Sequence, residues 1–517
     1  MRTHRGEDMK KNVLSLLFSR VVLVSLGILL QLAVLFATVY WFSGVAREVN
    51  IALTVIAFCM VLYILSGRSN YAYKMAWIMV ILVAPVFGLF LYIMFGGNRL
   101  SKRLKRKMAD MEKTLTANLL QEQAVLDVLN WQDPEAAVQA RYISATAHCP
   151  VYQNTETSYF SSGETAYAAM LTELEKARRS IYLEYFIIAE GKMWQSILNL
   201  LQKKAAQGVD VRVIYDDFGC ISRLPNHYDR ILQSMGIRAC CFNRYVPVLN
   251  SRLNNRDHRK FLVIDGQTAF TGGLNLADEY INRCDRGVGR WKDCAVMLRG
   301  DAVRSVTVMF LAMWNHISGD TAVEPAPEAE FHPHAAGYVQ PYTDSPLDFE
   351  ATGRTVFMNM IARANRRVWI MTPYLIIDDA MAETLSMAAK SGLDVRIITP
   401  GIGDKAYVHE LSRANYAPLV EDGVGIYEYR PGFVHSKLFL ADDDFGVVGT
   451  VNLDFRSLYL HFEDGVWLYR ANCVKQIRED FEQTFPQCRR ITLADCRRVG
   501  FFRRLYRSVL RLLSPLM

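Results

Sequence analysis

The chain has 517 residues, 51% of them apolar and 21% charged, with a formal net charge of +7. That length corresponds to about three to four domain-sized units. The composition excludes a disordered chain, a collagen-like fibre and a disulfide-stapled miniprotein. The ten cysteines form no C-x-x-C pair, which speaks against a zinc ribbon or redox motif and fits a reducing compartment.

In chain order, three uncharged runs come first, at 21–42, 51–67 and 75–97, the last interrupted by Pro85 and Gly88. A spanning helix needs roughly 20 predominantly apolar residues, so the first and third qualify and the second is at the short limit. The first is too long for a signal-peptide core. Residues 1–98 are therefore expected to be an integral membrane anchor of two or three spanning helices. Arg99, Lys102, Arg103, Lys105, Arg106 and Lys107 follow directly. This cluster argues for a cytoplasmic globular part and for contact with anionic head groups. Arg2, Arg5, Lys10, Lys11 and Arg20 make the N-terminus basic as well, so the number of crossings stays open.

Residues 99–140 form a basic, helical connector. Strand-like and helical patterns then alternate: 180–188 and 209–215 as strands with a helix at 194–206 between them. The same order returns at 368–377, 380–390 and 393–398. Such alternation predicts an α/β architecture, and the return predicts two copies of one unit. The expected lobes are 141–325 and 348–499, joined by a Pro- and Ala-rich linker at 326–347, with a tail at 500–517.

Each copy carries one motif. His258-Arg-Lys260 leads to Asp265, Gly272-Gly273 and Asn275; His435-Ser-Lys437 leads to Asp442, Gly449-Thr450 and Asn452. Five such fixed positions recur by chance about once in several million starts. On an extended chain, His and Lys two apart project to one side. Two copies facing each other put two imidazoles, two ammoniums and two amides around one centre, which suits a phosphate without a metal. One neutral His attacks phosphorus and the other acts as acid and then base. Each imidazole needs a partner for its second nitrogen, and Asp293 and Glu463, each ahead of an apolar run, are the candidates. Asp265 and Asp442 belong to the motif set and are expected to brace the strand–turn. The run Asp442-Asp443-Asp444 is expected to be a hairpin turn rather than a metal site.

These motifs, with NNRDHRKFLVIDG, GGLNLADEY, RWKD and PGFVHSKLFLADDDFGVVGTVNLDFRSLYLHFE, resemble the phospholipase D superfamily and, within it, the bacterial cardiolipin synthases. The resemblance extends to about residue 60, through MAWIMVILVAPVFGLFLYIMFGGNRLSKR. It implies two pseudo-symmetric lobes sharing one active site, in an enzyme of the bacterial cell membrane. The implied reaction passes a phosphatidyl group from one phosphatidylglycerol to another and releases glycerol. It also implies His258 as nucleophile and His435 as acid/base, an order the residues alone leave open. A membrane-bound hydrolase, a nuclease and an inactive lipid-binding scaffold are the alternatives. The anchor and the lack of an aromatic-interleaved basic groove weigh against nucleic acid, and the intact motifs against a scaffold. In the tail, Phe501, Leu505, Val509, Leu512 and Leu516 recur at helical spacing among arginines, which fits an interfacial helix or one packed on the lobes.

Overall fold

The computed structural model describes residues 47–67, 70–96, 102–245, 255–320, 334–348 and 350–516, with scattered positions between 22 and 40. Part of the expected run at 21–42, the basic N-terminus and residues 326–333 of the expected linker lie outside the described residues.

The first lobe contains β1 (Thr155–Phe160), β2 (Ser180–Tyr185), β3 (Asp210–Asp216), β4 (Arg238–Phe242), β5 (Arg256–Asp257), β6 (Lys260–Ile264), β7 (Thr268–Gly272), β8 (Arg290–Lys292) and β9 (Ala295–Gly300). Its main sheet runs β1-β9-β7-β6-β2-β3-β4. The second lobe contains β10 (Tyr338–Asp344), β11 (Arg367–Met371), β12 (Leu375–Ile376), β13 (Asp394–Pro400), β14 (Gly425–Tyr429), β15 (Gly432–Val434), β16 (Leu438–Ala441), β17 (Phe445–Gly449), β18 (Leu453–Asp454), β19 (His461–Tyr469) and β20 (Cys488–Arg490). Its sheet repeats the order as β10-β19-β17-β16-β11-β13-β14, with β20 added at the edge. The central strands are apolar on both faces and helices cover them, so they are buried throughout.

Two boundaries differ from the sequence expectation. Residues 338–344 of the expected linker are β10, paired along its length with β19. The expected start of the first lobe, at 141, falls inside the helix Pro134–Ala147, whose Ala140 carbonyl accepts a hydrogen bond from Gln340 in the second lobe's sheet. Periodicity did not reveal either, because both are decided by contacts between segments distant in sequence.

The third apolar run is not one continuous helix. It divides into Tyr71–Val83, Pro85–Leu91 and a wide turn at Tyr92–Gly96, with Ala84 in a non-helical conformation ahead of Pro85. The second run forms the helix Arg47–Ser66. Among the described residues, no helix is long and apolar enough to cross a membrane. These helices nevertheless turn large apolar side chains outward, among them Ile51, Phe58, Leu62 and Leu82. Asn70 ties them to the second lobe: it caps Tyr71–Val83 through the Ala72 amide and donates to Tyr459 Oη at 3.0 Å.

Candidate active site

Two short parallel ladders join the lobes. β5 pairs with the start of β19, Arg256 opposite His461 and Asp257 opposite Phe462. β15 pairs with β8, Phe433 opposite Trp291 and Val434 opposite Lys292. Continuing either register by one residue sets a motif histidine against a carboxylate of the other lobe. The backbone holds it there: His258 donates its amide to Phe462 O at 2.9 Å, and His435 to Lys292 O at 2.7 Å.

The side chains complete the exchange. His258 Nδ1 lies 2.9 Å from Glu463 Oε2, and His435 Nδ1 lies 2.7 Å from Asp293 Oδ2. All four residues are buried. Each histidine precedes its strand rather than lying on it, since β6 begins at Lys260 and β16 at Leu438. Both lysines fold back onto their own histidine's carbonyl, and Lys437 Nζ is also 2.9 Å from His435 Nδ1.

The motif glycines explain one difference between the copies. A Cβ on Gly273 would stand 1.9 Å from Asp293 Oδ1, so only glycine admits that carboxylate. The second copy has Thr450 there, and its hydroxyl donates to Glu463 Oε2 at 2.5 Å. Ser457 Oγ donates to the other Glu463 oxygen.

Asp265 and Asp442 lie apart from this centre. Asp265 accepts the amides of Arg178, Arg179 and Ser180; Asp442 accepts those of Asn365, Arg366 and Arg367. Both have left-handed backbones, which aspartate tolerates in tight turns. The segment 442–444 is the turn between β16 and β17. Asn275 is not an open donor pair facing the centre: it accepts from Ile187 N at 3.0 Å and donates to Tyr280 Oη at 2.6 Å. Asn452 Oδ1 is buried without a hydrogen-bond partner.

Sequence reasoning counted two site histidines, and the structure brings in a third. His461, its ring 5.6 Å from that of His258, also approaches Glu463. Its signal was its place two residues before Glu463, hence on the same side of an extended chain. His258, His461 and Glu463 bring three possible ligand atoms within 4.8 Å. His258 Nδ1 and both Glu463 oxygens are already hydrogen-bonded, so the trio does not fit a resident cation as it stands. Aromatic rings wall the centre: Phe186 against His258, and Tyr280, Trp291 and Phe433 against His435.

Burial sets the protonation. It lowers His258 to about 3 and His435 to about 4, with Lys260 and Lys437 adding to the effect and the paired carboxylates opposing it. Burial also lowers Lys260 to about 8 and Lys437 to about 7. Burial pulls Glu463 and Asp293 upward, but their histidine partners outweigh it and hold both below the usual range. Each pair is thus a neutral imidazole donating Nδ1–H to a carboxylate, with Nε2 left for chemistry.

A family model described as the cardiolipin synthase, phospholipase D-like domain matches residues 170–314 and 357–485, one segment in each lobe. A phospholipase D-nuclease N-terminal model matches 52–97. The chain belongs to the cardiolipin synthase family. A cardiolipin synthase of Alkalihalophilus pseudofirmus is 33% identical over 95% of this chain and 99% of its own. Cardiolipin synthase 2 of Bacillus anthracis is 34% identical over 90% of each chain. Phosphatidylserine synthase of Haemophilus influenzae shares the fold at 13% identity, with a TM-score of 0.53 over 73% of this chain and 97% of that one. As a cardiolipin synthase family member, the chain is a phosphatidyltransferase, and its crossed histidine–carboxylate centre sits where the two matched segments meet.

Proposed function

We propose that this centre joins two phosphatidylglycerol molecules into cardiolipin and glycerol through a phosphatidyl-histidine. The observation that carries the proposal is the pairing of two neutral, buried imidazoles with carboxylates of the opposite lobe, beside two lysines. His258 Nε2 attacks the donor's phosphorus, the P–N bond forms, and the bond to glycerol breaks. His435, protonated at Nε2 once the anionic phosphate has offset the neighbouring ammoniums, gives that proton to the departing alkoxide. The primary hydroxyl of the second lipid then attacks phosphorus. Its proton passes to His435, and the P–N electron pair returns to His258. Lys260 and Lys437 balance the charge on the phosphoryl oxygens. The anionic phosphate also offsets the two ammoniums and so raises His435 toward its working range. Asp293 and Glu463 orient the two imidazoles, Asn275 acts only through Tyr280, whose ring packs on His435, and Asn452 orients a reacting group. No cofactor enters the scheme.

The site works at a membrane in this proposal. The outward apolar side chains on Arg47–Ser66 and Tyr71–Val83 support it, as does the tail helix Phe501–Leu513. In the tail, Arg503 and Arg507 bind Glu410 of the second lobe, while Phe501, Phe502, Leu505 and Val509 are exposed. The polar face packs on protein and the apolar face is left for lipid. We assign the lobes to the cytoplasmic side of a bacterial cell membrane, with residues 1–98 as an integral anchor.

Purified full-length protein with phosphatidylglycerol vesicles provides the test. Cardiolipin and glycerol in equal amounts support the proposal. Phosphatidic acid as the product indicates a hydrolase, and no turnover indicates a lipid-binding scaffold.

A further inference from the structure

The two halves of the centre diverge at one equivalent position. Trp291 stands two residues before Asp293 with its ring 5.5 Å from that of His435, and His461 stands two residues before Glu463 with its ring 5.6 Å from that of His258. Trp291 packs against Tyr280 and Phe433. His461 has a different environment. Its side chain is only 10% exposed, neither ring nitrogen has a hydrogen-bond partner, and the nearest carboxylate oxygen, Glu463 Oε1, is 3.7 Å from Nδ1. A buried imidazole with both nitrogens unpaired is costly unless something else satisfies it.

His461 lines a cavity of about 140 Å³, large enough for several waters or a three-carbon polyol and too small for a diacyl lipid. Asp344, Asp348 and Glu350 line it too, Asn70 and Tyr459 contribute neutral polar groups, and Pro515 of the tail also borders it. None of its described lining residues is a lysine or arginine. Burial raises Asp344 to about 8 and Asp348 to about 6, so near neutral pH the lining carries reduced charge and offers donors and acceptors that suit hydroxyls. Burial holds His461 below the ordinary imidazole value, so the ring offers one donor and one acceptor.

We propose that His461 and this cavity form the subsite for the glycerol head group of the attacking lipid. This rests on the transferase assignment above. His461 accepts a hydrogen bond from one hydroxyl of that glycerol, and the primary hydroxyl reaches the phosphorus held on His258. The P–O bond forms as the P–N bond breaks, the electron pair returns to His258, and the hydroxyl proton goes to His435. By microscopic reversibility, the glycerol released from the donor leaves through the same subsite. Trp291 Nε1 is likewise buried without a hydrogen-bond partner, but an indole can only donate, whereas His461 also accepts, so the two motifs serve different partners.

The test uses the full chain with a phosphatidyl-p-nitrophenol donor and phosphatidylglycerol vesicles as acceptor. Nitrophenolate release reports attack by the enzyme, and the ratio of cardiolipin to phosphatidic acid reports whether an alcohol or water completes the transfer. Loss of one buried hydrogen bond in His461→Leu should lower that ratio about tenfold relative to wild type. His461→Asn, which keeps a donor and an acceptor, should restore most of it. An unchanged ratio in His461→Leu overturns the inference. So does a nitrophenolate burst that falls in step with cardiolipin in both variants, since His461 would then act through His258. If wild type itself yields phosphatidic acid and no cardiolipin, the transferase assignment fails, a result distinct from either of these.

Discussion

Glu463 reaches across from the second lobe to within 2.9 Å of His258 in the first, and it also accepts hydroxyl hydrogen bonds from Thr450 and Ser457. Neither lobe therefore owns a complete histidine–carboxylate pair. Asp293 makes the reciprocal contact to His435 at 2.7 Å. A shift between the lobes opens both pairs together, so the interface ladders β5–β19 and β15–β8 are part of the site.

The nucleophile can be assigned by leaving group. A p-nitrophenyl phosphatidyl donor needs no acid to expel nitrophenolate. His435→Ala should still release about one equivalent per enzyme and then stall, while His258→Ala should release none. The opposite pattern would exchange the two roles. Chromogenic burst kinetics with trapping of the adduct decides between them.

In the proposed mechanism each lysine balances charge on the phosphoryl oxygens. Lys260→Ala or Lys437→Ala should lower kcat about 10²–10³-fold, the range for removal of one such donor. Steady-state kinetics at saturating lipid measures this, and near-normal rates in either variant would remove the clamp from the mechanism.

The pH profile of kcat, which reports groups in the lipid complex where His435 is raised toward its working range, should be one-sided near neutrality. His258, held near 3 by burial, is already neutral above about pH 5, so no acidic limb from the nucleophile is expected there. An ammonium loses its charge as pH rises through its own value, and burial places Lys437 at about 7 and Lys260 at about 8. Activity should fall as pH climbs through 7–8. The limb belongs to the His435–Lys437–Asp293 cluster as a whole. Lys437→Arg, which keeps its charge, should move it upward.

Asp265 and Asp442 test a structural role. Each carboxylate gathers three backbone amides, two of them preceding β2 or β11. Asp265→Asn weakens charge-assisted hydrogen bonds by about 1.5–3 kcal/mol. It should lower the thermal midpoint while leaving kcat at low temperature within about a factor of three. A loss of turnover in a variant that stays folded by calorimetry would return Asp265 to the chemistry.

The tail predicts a separable effect on lipid binding. Phe501 and Phe502 are 74% and 83% exposed, on a helix whose Arg503 and Arg507 hold Glu410. Phe501→Asp with Phe502→Asp should weaken co-sedimentation with anionic vesicles and leave the melting temperature unchanged. Unchanged vesicle binding would leave the tail as packing alone.

What the amino-acid order determined by itself is local or periodic. It includes the alternation of strands and helices, the repeat of one unit, the two motifs and the turn at 442–444. Spacing carries these because a strand has period two and a tight turn selects its residues. The sequence also nominated Asp293 and Glu463 as partners, but spacing could not say which carboxylate serves which histidine. The exchange between lobes, the glycine that admits Asp293, and the arrival of His461 beside His258 depend on ladders between segments far apart in the chain. The open amides expected of Asn275 were lost to Ile187 and Tyr280 for the same reason. The chain encodes which side chains are available, and only packing of the two lobes against each other decides which of them meet.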